Sequence, residues 1–161
     1  MADSKKLQFL ETPVGKWLNR FTVWELDKLG EYKVVKCRER TTPARMREAT
    51  EEVERRIQSE PVVMYSFTVC PWCIKAKDEL DRRGIGYWST ELDTLGDEGP
   101  ALQAALGVLT GRTSMPCIFI GGKCVGGAMD GTPGLLPLIE RGGLEDAVVA
   151  AGGVFLDSTS K

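Results

Sequence analysis

The unit that most constrains the fold is an apolar run joined to a helical segment by two closely spaced cysteines. PVVMYSF (61–67) is short, β-branched and aromatic, which is typical of a buried strand. CPWCIKAKDELDRRG (70–84) predicts a helix that ends at Gly84. Cys70 and Cys73 are therefore expected where a buried strand ends and a helix begins.

Strand and helix patterns alternate from residue 43 to residue 153. Thr42 is a good N-cap for the first helix, and Pro43 suits its first position. The segments that follow predict, in order, a strand at 61–67, a helix at 70–84, a strand at 87–93, a helix after Gly99-Pro100 with Leu102, Leu106 and Leu109 as apolar positions, a hairpin at 117–127, and helices at 132–143 and 144–153. This order predicts an α/β fold whose four-stranded mixed sheet carries helices on both faces.

The two ends of the chain lie outside this pattern. FTVWEL (21–26) and YKVVKC (32–37) resemble the two strands of a hairpin. We therefore expect three parts: an N-terminal extension of unknown role at 1–42, one folded domain at 43–153, and a C-terminal tail at 154–161.

The chain has no charge excess that would suit a nucleic acid. Its 161 residues include 21 basic and 23 acidic side chains, a net charge of −2, whereas a nucleic-acid surface shows clustered Lys and Arg. No apolar run approaches the roughly 20 residues of a membrane span. The N-terminus also lacks the apolar segment of a secretory signal peptide. We therefore expect a cytoplasmic protein without nucleic-acid or membrane partners.

Histidine is absent, and its absence excludes several kinds of catalytic site at once. A Ser-His-Asp triad, a Cys-His protease pair and a Cys₂His₂ zinc site all require this residue. The odd number of cysteines and the missing signal sequence favour a reducing compartment, where most thiols stay free. The cysteines are Cys37, Cys70, Cys73, Cys117 and Cys124.

Cys70 has the position of a reactive sulfur. Backbone N–H groups of the first helical turn and the helix dipole favour negative charge there, so its thiolate should be stabilised. Pro71 suits the first helical position, and Cys73 is turned back towards Cys70 but is more covered. The expected chemistry is attack of Cys70 on a disulfide, after which Cys73 resolves the mixed disulfide.

Three other uses of the cysteine pair stay open: a structural zinc site, a static disulfide and a chance pair of inert thiols. Zinc would need four ligands, and only Cys117 and Cys124 could complete the set. Cys117 begins an apolar strand, so we expect no metal site. A static disulfide disagrees with a reducing compartment, and the strand–motif–helix setting favours redox chemistry. Cys124 is then either a small hydrophobic residue of the hairpin or a regulatory thiol.

A second motif is TSMPCIFIGGKCVGGAMD (113–130). A proline at a strand start beside an active site is often cis, which would free the Met115 backbone to pair with an extended peptide. The alternative is that Pro116 only begins an edge strand. Gly126-Gly127 lets another backbone or a ligand come close. Asp130 could cap the following helix, hold the ammonium group of a ligand, or do both.

These residues resemble the dithiol glutaredoxins of the thioredoxin-like superfamily. The resemblance rests on VVMYSFTVCPWC and TGRTSMPCIFIGGKCVGG, and it covers about residues 43–153. It implies a thioredoxin-like fold and glutathione-dependent reduction of protein disulfides and glutathione mixed disulfides. The implied partners are glutathione, as the reductant, and proteins that carry a disulfide or a glutathionyl group; we expect a monomer. Other segments resemble plant and algal members, so a plastid or another organelle is an alternative location if a targeting segment was removed.

The resemblance also implies roles for individual residues. Cys70 is the nucleophile and Cys73 the resolving thiol. Trp72 stands against bound glutathione, where the family usually has Tyr. Met115 and Pro116 match the element that pairs with the cysteinyl part of glutathione.

Four further residues match the two ends of the tripeptide. Ala128, Met129 and Asp130 match the segment that holds the γ-glutamyl end through backbone N–H groups and a carboxylate. Arg112 lies near the position where the family often presents Gln or Arg to the glycyl carboxylate. Ala128-Met129 replaces the usual Cys-Asp, which removes one side-chain acceptor but keeps the amides.

Phe67 departs from the family, which usually has Lys three residues before the nucleophile. That Lys meets the glycyl carboxylate, and the loss of an ion pair at a partly exposed site costs roughly 0–1 kcal/mol. Arg112, Lys75 or Lys77 could compensate.

Two alternatives stay open: a [2Fe–2S] cluster-binding module, which Pro71 disfavours, and a thioredoxin-like reductase with weak use of glutathione.

Overall fold

The computed structural model of the protein describes residues 35–36, 38–39 and 41–156. Its α-helices from residue 43 onward are α1 (Pro43–Ser59), α2 (Pro71–Arg82), α3 (Glu98–Thr110), α4 (Leu135–Glu140) and α5 (Leu144–Ala150). Its strands are β1 (Val62–Ser66), β2 (Trp88–Glu91), β3 (Cys117–Ile120) and β4 (Lys123–Gly126), and a 3₁₀ turn, Leu92–Thr94, follows β2. The predicted order of helices and strands is confirmed.

The four strands form one mixed sheet in the order β2-β1-β3-β4. β1 and β2 run parallel, with Val63 opposite Trp88. β1 and β3 run antiparallel, with Val63 opposite Phe119, and β3 and β4 form the predicted hairpin. The four-stranded mixed sheet predicted from the sequence is therefore confirmed, and β1 lies in its interior.

Helices cover both faces of this sheet. On one face the Tyr65 ring packs edge-on against Trp88 with centroids 5.6 Å apart, and the guanidinium of Arg56, from α1, lies 4.3 Å from the Trp88 centroid. Glu91 is three residues after Trp88 and therefore points to the other face, where it pairs with Lys77 of α2. Every residue of β1 is buried between these layers.

Local sequence explains where the outer helices begin and what they bury. The hydroxyl of Thr42 accepts the Arg45 N–H at 3.3 Å, so the predicted N-cap of α1 is confirmed. Helices α1 and α3 pack on each other. Leu102 and Leu106 are buried as predicted, but Leu109 is 38% exposed in the last turn of α3, so its assignment to the apolar face is wrong.

The predicted strand at 32–37 is wrong where the structure describes it, because Val35 and Lys36 are helical. Lys36 donates to the Glu39 carboxylate at 2.8 Å, three residues along the same chain segment. Val35 is 50% exposed, so the half-buried surface that favours a β-branched residue in a strand is missing there. The other predicted strand, 21–26, lies outside the described residues.

Leu80 and Leu109 offer a matched test of this core, because both are helical leucines and only Leu80 is fully buried. We expect Leu80→Ala to lower the free energy of unfolding by about 2–5 kcal/mol, since it leaves a cavity. Leu109→Ala should cost no more than about 1 kcal/mol, as expected for a surface position. Urea unfolding followed by circular dichroism measures both. Equal losses would contradict the position of α2 against the sheet.

Candidate active site

Cys70 lies at the N-cap of α2, immediately after the loop that leaves β1. Its backbone is extended, Pro71 takes the first position of the helix, and the Cys73 N–H donates to Cys70 Sγ at 3.4 Å. The predicted position of Cys70 at a helix N-terminus is therefore confirmed. The unpaired N–H groups of the first turn and the helix dipole stabilise negative charge on this sulfur.

The two cysteines differ in exposure. Cys70 is partly exposed, whereas Cys73 is fully buried, and neither is in a disulfide. Burial raises the pKa of Cys73 to about 12, and the hydrogen bond with Cys70 adds to this effect. Cys73 is therefore a protonated, buried thiol at neutral pH, and Cys70 is the more accessible of the two sulfurs.

The loop before β3 lies beside the nucleophile. The Met115–Pro116 peptide is cis, as predicted. Cys70 Sγ donates to the Met115 carbonyl at 3.6 Å, and Gln103 of α3 holds the loop by donating to the Thr113 carbonyl at 2.7 Å. The structure therefore brings Met115 and Pro116 together with Cys70, although α2, β2 and α3 lie between them in sequence.

The turn after β4 packs backbone against backbone. The Gly127 N–H donates to the Asp130 carbonyl at 2.6 Å. Gly126 has a φ of 109°, and a Cβ there would lie 2.5 Å from that same carbonyl oxygen. The predicted close approach at Gly126-Gly127 is therefore made by the backbone of Asp130, in the same chain. This turn places residues 128–130 next to the loop before β3.

Asp130 pairs with Arg112 instead of capping a helix. Arg112 Nη2 donates to Asp130 Oδ2 at 2.7 Å and to the Ser114 hydroxyl at 3.2 Å. The following helix, α4, has Gly134 at its N-cap and no side-chain cap. The capping role considered for Asp130 is therefore wrong, and its carboxylate is held at the corner of the site.

The remaining predicted site residues differ in their exposure. Trp72 and Met129 are 50% and 52% exposed, and Ala128 is buried. Phe67, which replaces the usual Lys, is partly buried and packs against the core. Trp72, in the first turn of α2, therefore exposes apolar surface two residues after Cys70.

Of the three cations considered as substitutes for that Lys, two are already engaged. Lys77 pairs with Glu91, and Arg112 pairs with Asp130. Lys75 is exposed and forms no ion pair with any residue that the structure describes.

Asp93 is a site residue that the sequence analysis missed. Its carboxylate accepts the Thr68 N–H at 3.0 Å and the Thr68 hydroxyl at 2.5 Å, which anchors the loop between β1 and Cys70. The hydrogen bond from the Thr68 hydroxyl is the main reason that the pKa of Asp93 is lowered. The sequence did contain a signal for this role: Asp93 comes just after β2, which runs parallel to β1. The carboxyl ends of parallel neighbouring strands meet at the same edge of a sheet.

A second carboxylate lies at the same edge. Ser66, the last residue of β1, is fully buried and donates to Glu91 Oε2 at 2.5 Å, and Lys77 of α2 pairs with the other carboxylate oxygen. This network ties β1, β2 and α2 together, and its helical member, Lys77, lies one turn after Cys73. It satisfies a buried hydroxyl and fixes the helix that carries Cys73.

Cys117 and Cys124 form a second thiol neighbourhood in the hairpin. Cys117 is fully buried and Cys124 is partly exposed. A hydrogen bond from Cys117 lowers the pKa of Cys124 to about 7, and the same bond raises the pKa of Cys117. Cys124 is therefore a partly exposed thiol with a lowered pKa, and its role as a hairpin hydrophobe or a regulatory thiol stays a prediction.

Two wider features of the described residues bear on the class of protein. In the part of the chain that the structure describes, no group of three or more cysteine or carboxylate side chains is arranged to hold a metal ion. Within the same ranges, no helix has both the length and the apolar character needed to cross a bilayer.

The thiol environments predict an order of alkylation. At neutral pH iodoacetamide should modify Cys70 and Cys124 first, because both are reachable, and Cys73 and Cys117 last, because both are buried and protonated. Labelling of Cys124 should rise with pH through its pKa of about 7. Peptide mass spectrometry after timed quenching measures this order, and urea-unfolded protein serves as the control. Equal rates for Cys70 and Cys73 would contradict the assignment.

Asp93→Asn tests the anchored loop. We expect a several-fold loss in the rate of Cys70 alkylation, because the amide is a weaker acceptor for Thr68. Because the pKa of Asp93 is lowered in the folded protein, its carboxylate stabilises the loop fully above the unfolded pKa of about 3.9. That stabilisation is lost only as the pH falls below this value. The loss should therefore be the same from about pH 6 to pH 8. Asp97→Asn is the control, since that carboxylate contacts Arg45 at 3.0 Å; an equal loss there would contradict the role of Asp93.

Known proteins resemble this chain in sequence and in structure. The family model described as Glutaredoxin matches residues 62–125. A rice protein, "Glutaredoxin-C4, chloroplastic" (Oryza sativa subsp. japonica), is 38% identical over 100 residues, which cover 59% of this chain and 74% of that one. "Glutaredoxin-C2" of Arabidopsis thaliana is 36% identical over 101 residues, 59% of this chain and 89% of that one.

A solved structure supports the same grouping. The crystal structure of a buckwheat glutaredoxin–glutathione complex superposes with a TM-score of 0.64 and 32% identity, over 70% of this chain and 97% of that one. This chain therefore has a thioredoxin-like fold. Its candidate site combines the strand–CPWC–helix unit, the loop before β3 and the turn after β4. The chain belongs to the glutaredoxin family of glutathione-dependent thiol–disulfide oxidoreductases.

Proposed function

We propose that the protein reduces glutathione mixed disulfides and protein disulfides, with Cys70 as the nucleophile and Cys73 as the resolving thiol. The observation that carries this proposal is the partly exposed Cys70 Sγ, which accepts the Cys73 N–H at 3.4 Å at the start of α2. A nucleophilic sulfur must be both reachable and stabilised as an anion, and Cys70 meets these two conditions. The resolving thiol must be close but protected, and Cys73 is fully buried.

Reduction of a glutathionylated protein proceeds by two exchanges. The Cys70 thiolate attacks the glutathionyl sulfur, the bond between that sulfur and the substrate breaks, and the substrate leaves as a thiolate that takes up a proton. A second glutathione, as its thiolate, then attacks the glutathionyl sulfur on Cys70. Glutathione disulfide leaves, and the Cys70 thiolate is restored.

Reduction of a protein disulfide uses both cysteines. Cys70 attacks one sulfur of the substrate, which releases the other sulfur as a thiolate and leaves a mixed disulfide. Cys73 gives up its proton and attacks the Cys70 sulfur, so that the substrate leaves reduced and Cys70 and Cys73 form a disulfide. Two glutathione molecules then reduce that disulfide. Because the pKa of Cys73 is raised to about 12, this second route should be the slower one.

Glutathione, in this proposal, lies across three segments that meet at Cys70. The Met115 backbone, whose carbonyl is 3.6 Å from Cys70 Sγ, pairs with the cysteinyl part. The amides of Ala128 and Met129 and the carboxylate of Asp130 receive the γ-glutamyl end, and the exposed ring of Trp72 covers the tripeptide. The buckwheat complex supports this arrangement, since that relative binds glutathione.

We assign this activity to residues 43–153, with 1–42 as an extension whose role is unknown and 154–161 as a tail. The rice relative is named as chloroplastic, which supports a plastid as the reducing compartment in place of the cytoplasm. The substrates are then glutathionylated or disulfide-bonded proteins of that compartment.

Serine variants of the cysteines test the mechanism. In a hydroxyethyl-disulfide assay coupled to glutathione and glutathione reductase, Cys70→Ser should lower kcat/KM by at least about 100-fold, a barrier increase of about 2.7 kcal/mol. Cys73→Ser should keep its activity on this mixed disulfide but lose the reduction of a protein disulfide. Cys124→Ser is the matched control and should keep both activities.

Two results would overturn the proposal. One is activity that survives in Cys70→Ser. The other is a parent protein that reduces a protein disulfide with dithiothreitol but shows no turnover with glutathione, since this would favour a thioredoxin-like reductase.

A further inference from the structure

We infer that Arg112 is a positioning residue, which fixes the Asp130 carboxylate for the γ-glutamyl end of glutathione and does not itself bind the glycyl carboxylate. This inference rests on the proposed glutathione site and deepens it. It also replaces the role that the resemblance implies for Arg112 by one that follows from the contacts of its side chain.

One nitrogen of the guanidinium, Nη2, is already bound to two groups of the protein, while Nε is buried without a hydrogen-bond partner among the described residues. Arg112 Nη2 donates to Asp130 Oδ2 at 2.7 Å and to the Ser114 hydroxyl at 3.2 Å. The Arg112 side chain is only 20% exposed, whereas that of Asp130 is 69% exposed. In this ion pair the cation therefore faces the protein and the anion faces solvent, which is the orientation needed to present a carboxylate to an ammonium group.

Gly127 shows how tightly the pair is fitted. A Cβ at this position would lie 2.5 Å from Asp130 Oδ1, 3.0 Å from Arg112 Nη2 and 3.4 Å from the Pro116 carbonyl oxygen. The ion pair thus crosses over the Gly127 backbone, and the Gly127 N–H also donates to the Asp130 main-chain carbonyl. Asp130 is consequently held through both its main chain and its side chain, next to the loop that carries Met115.

The pair leaves Asp130 able to accept a ligand. A carboxylate offers about four lone-pair positions, and Arg112 takes one of them. Oδ1 remains available on an exposed side chain. Because the carboxylate is ordered before glutathione arrives, binding avoids the entropy cost of immobilising it, an advantage worth roughly 3- to 10-fold in affinity.

Truncated substrates separate the two possible roles of Arg112. One peptide cysteine is coupled by a disulfide to glutathione, to γ-glutamylcysteine or to cysteinylglycine, and the release of free peptide is measured for the parent and for Arg112→Gln. We expect Arg112→Gln to raise KM about 3- to 10-fold for glutathione and γ-glutamylcysteine, with kcat unchanged, and to leave cysteinylglycine unaffected. Arg112→Lys should recover part of the loss, since it keeps the charge but not the fork geometry.

A double-mutant cycle and a control complete the design. On an Asp130→Asn background, Arg112→Gln should have little further effect, because it acts through that carboxylate. Arg45→Gln removes another arginine–aspartate ion pair, with Asp97, which is more exposed, and it should leave the kinetics on all three substrates unchanged. Circular dichroism and urea unfolding confirm that each variant is folded; should Arg112→Gln unfold, Arg112→Lys carries the comparison.

Two results would overturn the inference while leaving the proposed function intact. A loss shared by glutathione and cysteinylglycine, but not by γ-glutamylcysteine, would show that Arg112 binds the glycyl carboxylate. An equal loss on all three substrates would show a merely structural role. A different result would contradict the proposed glutathione site itself, and with it this inference: a parent protein whose kcat/KM is no higher for the glutathione substrate than for the cysteinylglycine substrate.

Discussion

The contact on which the site depends is the hydrogen bond from the Cys73 N–H to Cys70 Sγ. It exists because β1 ends in a short loop that places Cys70 at the N-cap of α2, and because Pro71 begins the helix without losing a needed donor. The same helical turn buries Cys73 against the sheet. One local geometry therefore produces two different thiols from two identical residues, one accessible and one protected.

The parallel pairing of β1 and β2 explains why this geometry is held firmly. It brings Glu91 and Asp93, at the end of β2 and just beyond it, to the edge where the loop to Cys70 starts. Glu91 accepts from Ser66 and pairs with Lys77, and Asp93 accepts from Thr68. These carboxylates therefore anchor the strand, the loop and the helix that surround Cys70.

The sequence predicts most strongly what local signals determine. The N-cap at Thr42, the buried run of β1 and the proline after Cys70 each favour one local structure, and the fold and the reactive cysteine follow from them. The predictions for Val35 and Asp130 were wrong because each depended on contacts that the local sequence does not contain. Val35 lacks the half-buried surface that a strand would give it, and Asp130 pairs with the Arg112 guanidinium. Asp93 was missed for the same reason, since its partner Thr68 lies in another segment.

Phe67 raises the question of how the nucleophile is stabilised without the Lys that the family usually supplies. An exposed ion pair is worth about 0–1 kcal/mol, whereas charge at a helix terminus is worth typically 0.3–1 kcal/mol and up to about 2 kcal/mol when partly buried. The helix N-terminus, which the structure retains, is therefore at least as large an effect as the cation that is missing. Lys77 and Arg112 are bound to carboxylates, whereas the Cys73 N–H of α2 donates directly to Cys70 Sγ, and Phe67 packs against the core three residues before that cysteine. The substitution thus places an apolar, partly buried side chain where the family usually has a cation.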